Sequence, residues 1–191
     1  MANVVPVTLP LLAPLKRSTT CDARLGRMSV LYLRNACHDF EGYGGCVANA
    51  VLIANFAATW SMVGLIWFVQ NVHYPLLARV GLDRAREIAV IHQRRTAQIV
   101  ALPMAIEGLS TLGLLFERPD GVAWVLPWVG GITLAVALGC TVLLSVPLHE
   151  QMANDPRIDT GKRLVQTNWP RTVAWTSHGV VTLIMVVQAW A

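Results

Sequence analysis

Charge is what this chain has least of. Of its 191 residues 14% are charged and 54% hydrophobic, and a mean hydropathy of +0.51 excludes an ordinary soluble domain of this length. The few charges are segregated: residues 47–69, 122–148 and 172–191 carry none, and residues 97–116 carry only Glu107. Period-two alternation is missing too, so a run such as 131–144 does not suit the strand of a transmembrane barrel. No CxxC pair occurs among Cys21, Cys37, Cys46 and Cys140, which argues against a disulfide framework or a zinc ribbon, and no HxxxH or HExxH motif fixes a metal site by spacing alone. Basic and aromatic residues do not interleave. The net charge of +4 therefore suits loops meeting anionic lipid, and no nucleic-acid partner is expected.

What is present is four long apolar runs. Each is about 20 residues or longer, enough as a helix to cross roughly 30 Å of hydrocarbon. The fold class is therefore all-α: a polytopic membrane protein whose residues 46–191 form an antiparallel bundle of four transmembrane helices, with spans at about 47–69, 97–116, 122–148 and 172–191. Residues 1–45 read as an irregular tail. Pro6, Pro10 and Pro14 interrupt its apolar part and the basic residues follow that part, the reverse of a signal peptide, so a translation start at Met28 or nearer the first span is expected. The connection after the first span carries Arg79, Arg84, Arg86, Arg94 and Arg95, and that after the third carries Arg157, Lys162, Arg163 and Arg171. The turn between the second and third spans has only Arg118. This bias puts the long connections in the cytoplasm and the C-terminus outside, although Lys16, Arg17, Arg24, Arg27 and Arg34 of the tail argue the other way.

Small residues recur every four positions at Ala50, Ala54 and Ala58, at Ala97, Ala101 and Ala105, and at Gly131, Ala135 and Gly139, which predicts three smooth faces for close packing. The second helix is expected to start well before the bilayer, with Asp83 as its N-cap, residues 84–95 as an amphipathic extension, and a kink at Pro103. Most of the tryptophans fall near span ends, as headgroup anchors do.

If successive spans alternate in direction, one end gathers His73 and Gln70 from the first, His92 and Arg95 from the second, His149 from the third, and Asn168, Trp169, Arg171 and Trp175 from the fourth. His73, His92 and His149 together suit a transition metal, a haem or a polar ligand. Gln70, Arg95, Asn168, Trp169 and Trp175 are candidate binding residues around them, and Arg171 a candidate catalytic cation. Glu107 stands apart, about 15 Å into its span at 1.5 Å per residue. An acid at that depth carries a proton or ties helices together, and His178 is its nearest candidate partner.

The segments WFVQNVHYPLLARVG at 67–81, HQRRT at 92–96, LPMAIEG at 102–108, VPLHEQM at 146–152 and TNWPRTVAWTSHG at 167–179 resemble a group of small, largely uncharacterised bacterial four-helix membrane proteins. They are more distantly similar to the anthrone oxygenase-like membrane family. The likeness covers roughly residues 55–191. It implies an inner-membrane protein with a polar site at one end, and oxidation of an aromatic or quinone-like molecule. One expectation is thus a membrane-embedded oxidoreductase or oxygenase-like enzyme in which His73, His92 and His149 bind a metal or activate substrate, Arg95 or Arg171 stabilises negative charge, and Trp169 and Trp175 stack on an aromatic ring. The alternative is a small proton-coupled transporter, or a non-catalytic membrane subunit, that uses Glu107. A four-span transporter would be thin unless it formed a homo-oligomer.

Overall fold

The computed structural model describes the backbone of residues 19–191 and the side chains of residues 44–191 other than Ile158. The prolines of the tail, Cys21, Cys37 and the tail's basic side chains lie outside these. Contacts divide the chain into two units, residues 1–42 and 43–191, and every described side chain belongs to the second.

Among the described residues all regular structure is helical: α1 (Thr19–Phe68), α2 (Tyr74–Leu77), α3 (Leu82–Phe116), α4 (Val125–Cys140), α5 (Val146–Asn154), α6 (Ile158–Thr167) and α7 (Trp169–Ala189). Single π-helical turns, Val69–His73 and Thr141–Ser145, join α1 to α2 and α4 to α5. Four stretches, Gly44–Leu77, Leu82–Phe116, Val125–Asn154 and Asp159–Ala189, are long and apolar enough to cross a membrane. They overlap the three charge-free runs and the run that carries only Glu107. α1 already begins at Thr19, inside the stretch for which composition favoured neither helix nor strand, and residues such as Ala23, Leu25, Met28 and Leu31 are good helix formers.

Both π turns have the same cause. Pro75 and Pro147 lack the N–H that would bond the carbonyl four residues earlier, and their rings crowd it. The turn before each proline widens instead: the Tyr74 N–H donates to Val69 O, and the Val146 N–H to Thr141 O, five residues back. One residue is thereby inserted into the helical count, rotating the next helical segment by about 100°. By contrast α3 runs unbroken through Pro103. It starts at Leu82 with Gly81 as the N-cap, so the expectation that Asp83 caps it is corrected. Asp83 lies in the first turn, where its charge complements the helix dipole.

The burial pattern is inverted relative to a soluble bundle. Asn55, Glu107, His178 and Thr182 are fully buried, while Leu102, Leu109 and Leu143 stand about 70% exposed. Along α1 the inward positions are Ala48, Leu52, Asn55, Thr59, Met62, Ile66 and Val69, an alternation of four- and three-residue steps. Most of the predicted small-residue positions do not face the packing: Ala58 is buried and Gly131 and Gly139 are half-buried, but Ala50, Ala54, Ala97, Ala101, Ala105 and Ala135 are exposed. α4 packs along α7, and α3 along α4 and α5.

The connection after α5, which composition presents only as a basic segment, contains the amphipathic α6. Its Thr160 and Leu164 are buried, and it packs on α2 and α5. A Cβ at Gly161 would stand 2.6 Å from the Ala78 Cα, so α6 approaches α2 at backbone contact. Arg86 ties the same region from α3, donating from Nε to Ala153 O and from Nη2 to Asn154 O at the end of α5. Gly161→Ala should therefore cost about 1–3 kcal/mol through overpacking. A thermal midpoint in detergent unchanged from the native protein would contradict this close approach.

Candidate functional site

The two π turns and the first third of α3 bring three histidines together. His73 Nε2 lies 2.7 Å from His92 Nδ1, and the two rings stack with centroids 4.5 Å apart. The His92 and His149 centroids are 4.9 Å apart. Thr96 Oγ1 is 3.1 Å from the same Nδ1 of His92. The extra residue of the first π turn directs Tyr74 inward, where it is 3% exposed. Its hydroxyl lies 2.9 Å from His149 Nε2 and accepts a 3.1 Å hydrogen bond from Arg171 Nη2. The Arg171 guanidinium carbon is 5.9 Å from the centroids of both Tyr74 and Trp175, within cation–π range of each. Gln93 on α3 holds the backbone at this point by donating to His149 O at 2.8 Å.

These groups border a cavity of about 280 Å³. Met62, Ile66, Val100 and Met104 supply apolar walls, and Tyr74, His92, His149 and Arg171 supply a polar end. Trp175 lines it as well. Apolar walls with a few converging polar groups are the usual form of a small-molecule site.

A second polar layer lies deeper. The Trp175 indole N–H is shared between the two Glu107 carboxyl oxygens, at 3.2 and 3.1 Å. His178 Nε2 is 3.6 Å from Glu107 Oε1, and its Nδ1 is 3.3 Å from Thr133 Oγ1. The Asn55 side-chain amide lies 2.9 Å from both Ser110 Oγ and Thr111 Oγ1 and 3.2 Å from Glu107 O, fastening α1 to α3. Glu107 does not reach the histidine cluster directly. Trp175 connects the two layers, touching Glu107 with its nitrogen while its ring faces Arg171 and the cavity.

The remaining predicted site residues separate. Gln70 and Asn168 are buried and bond each other, Asn168 Nδ2 donating to Gln70 Oε1 at 2.7 Å while Gln70 Nε2 donates to Val165 O. They clamp α6 and α7 to the end of α1. Trp169 packs edge-on against Trp67 with centroids 5.9 Å apart and is half exposed. Arg95 is exposed and borders a separate depression shared with His73 and His92. The three histidine rings are engaged with one another and with Tyr74, and among the described residues no group of three or more His, Cys, Asp or Glu side chains is set to hold a metal ion. Tyr74, which sequence reasoning places at this end of the first span without giving it a role, is central to the cluster, and its signal was Pro75 immediately after it.

Compared with known proteins, the chain matches no family model, no curated protein and no solved structure.

The Asn55 amide is fully buried and serves three acceptors, so Asn55→Ala should destabilise the protein by about 1–2 kcal/mol. Asn71→Ala, which removes an exposed side chain bonded to Trp67 O, should change it by no more than about 0.5 kcal/mol. Equal thermal midpoints for the two variants in detergent would contradict the buried tie.

Proposed function

We propose that this chain is a membrane-embedded oxidoreductase or oxygenase-like enzyme acting on a hydrophobic aromatic molecule, held in the cavity between α1, α3, α5 and α7. In this reading the four apolar stretches cross the inner membrane as an antiparallel bundle. The arginine-rich connections lie in the cytoplasm, the C-terminus lies outside, and the cavity sits at the cytoplasmic end. The outward-facing leucines and inward-facing polar groups support insertion, since a helix in hydrocarbon presents apolar side chains to lipid and satisfies its polar ones within the protein.

The observation that carries the reading is the cavity's make-up: apolar and aromatic walls ending in an acid–base group that is itself oriented. In this reading His92 carries its hydrogen on Nδ1 and donates it to His73 Nε2 across 2.7 Å, which leaves Nε2 of this cavity-lining residue as the base, the usual arrangement of a base fixed by a neighbour. Trp175 and Tyr74 provide ring faces for an aromatic body. The resemblance to the anthrone oxygenase-like family points to the same chemistry. In it a ring methylene loses two hydrogens and gains a carbonyl oxygen from dioxygen, the second oxygen atom leaving as water. His92 takes the first proton, and the apolar walls limit the access of bulk water to the reacting carbon.

Anthrone, supplied to protein in lipid nanodiscs under air, tests this. Oxygen uptake and anthraquinone formation should exceed those of empty nanodiscs and fall about 100-fold or more in His92→Ala, the scale of a lost general base. Native protein no faster than empty nanodiscs would overturn the reaction class.

A further inference from the structure

Among the described residues Arg171 is a buried cation without a counter-ion. It is 8% exposed, and the ion pairs among the described residues are Arg157 with Asp155 and the His178–Glu107 contact. Glu150 also lines the cavity, but it is exposed and makes no ion pair with Arg171. Two aromatic rings, each with its centroid 5.9 Å from the guanidinium carbon, soften its burial without neutralising it, and a buried charge left unpaired is costly.

The hydrogen bonds show which donors are left without a partner. Arg171 Nη2 donates to the Tyr74 oxygen, so the tyrosine proton must go elsewhere, and among the described residues its acceptor is His149 Nε2. A neutral His149 then carries its hydrogen on Nδ1. Among the described residues that Nδ1 is buried without a partner, and so is the Nε of Arg171. Two orphaned N–H donors, one of them cationic, thus belong to residues that line the same cavity beside apolar and aromatic walls. Buried donors in that state call for an acceptor, and a cation for a negative one.

We infer that the cavity binds its ligand as an organic oxyanion, an aromatic carboxylate or phenolate whose charged oxygen is held by Arg171 and His149 while its ring lies against Trp175 and the apolar wall. This rests on the cavity reading proposed above and adds the charge of the bound species.

Equilibrium dialysis of full-length protein in zwitterionic nanodiscs, corrected with empty nanodiscs, separates the two ideas. The probes are 2-naphthoate and its neutral isostere 2-naphthamide. Native protein should bind naphthoate at least tenfold more tightly, a preference retained in Arg171→Lys and reduced to about threefold or less in Arg171→Gln. Equal affinities in the native protein would overturn the oxyanion inference while leaving an aromatic-binding cavity intact. Binding of neither probe would overturn both. The native comparison decides the matter even if a variant fails to fold.

Discussion

The shared hydrogen bond from the Trp175 indole to the Glu107 carboxyl is the contact on which the rest of the interior depends. An acid at that depth needs a donor, and an enclosed indole N–H needs an acceptor, so each answers a cost the other would otherwise incur. The bond fixes α7 against α3 at the level where Asn55 fastens α1 to α3. With Trp175 held by its nitrogen, its ring is presented to Arg171 and forms one wall of the cavity. Removal of either partner therefore reaches beyond its own layer.

Above this layer, geometry is set by proline. Two helices each lose one backbone hydrogen bond at Pro75 and Pro147, and both respond with a π turn. Without the first of these the four-and-three rhythm of α1 would bring residue 73 inward. With it, Tyr74 turns in and His73 sits to the side, stacked behind His92. A tyrosine linking Arg171 to His149, and a histidine orienting another histidine, both follow from that single inserted residue.

The same physics decides which features could be read in advance. Charge-free runs mark the apolar stretches because a membrane-length helix leaves that trace in composition whatever it packs against. Convergence of His73, His92 and His149 followed from direction and depth alone, as did the approach of His178 to Glu107. Tyr74 was hidden because helical phase was counted without a π turn. The alanine stripes misled because the inward phase of these helices falls mostly on other residues, apolar ones such as Leu52 and Leu134 as well as Asn55 and Glu107. Gln70 and Asn168 carry the right chemistry for ligand binding, yet they bond each other, a pairing that only the packing of α6 and α7 against α1 determines. α6 itself is short, and its basic residues resemble a loop until Gly161 is seen against Ala78.

A double-mutant cycle between Glu107 and Trp175 is the sharpest test of that dependence. Thermal or denaturant unfolding in detergent would compare Glu107→Leu, Trp175→Phe and the double variant with the native protein. A buried interhelical hydrogen bond in a membrane protein is worth on average about 0.6 kcal/mol, and up to about 1.7 kcal/mol. The double variant should be less destabilised than the sum of the singles by at least about 0.6 kcal/mol. Additivity within about 0.3 kcal/mol would contradict a coupled pair between α3 and α7.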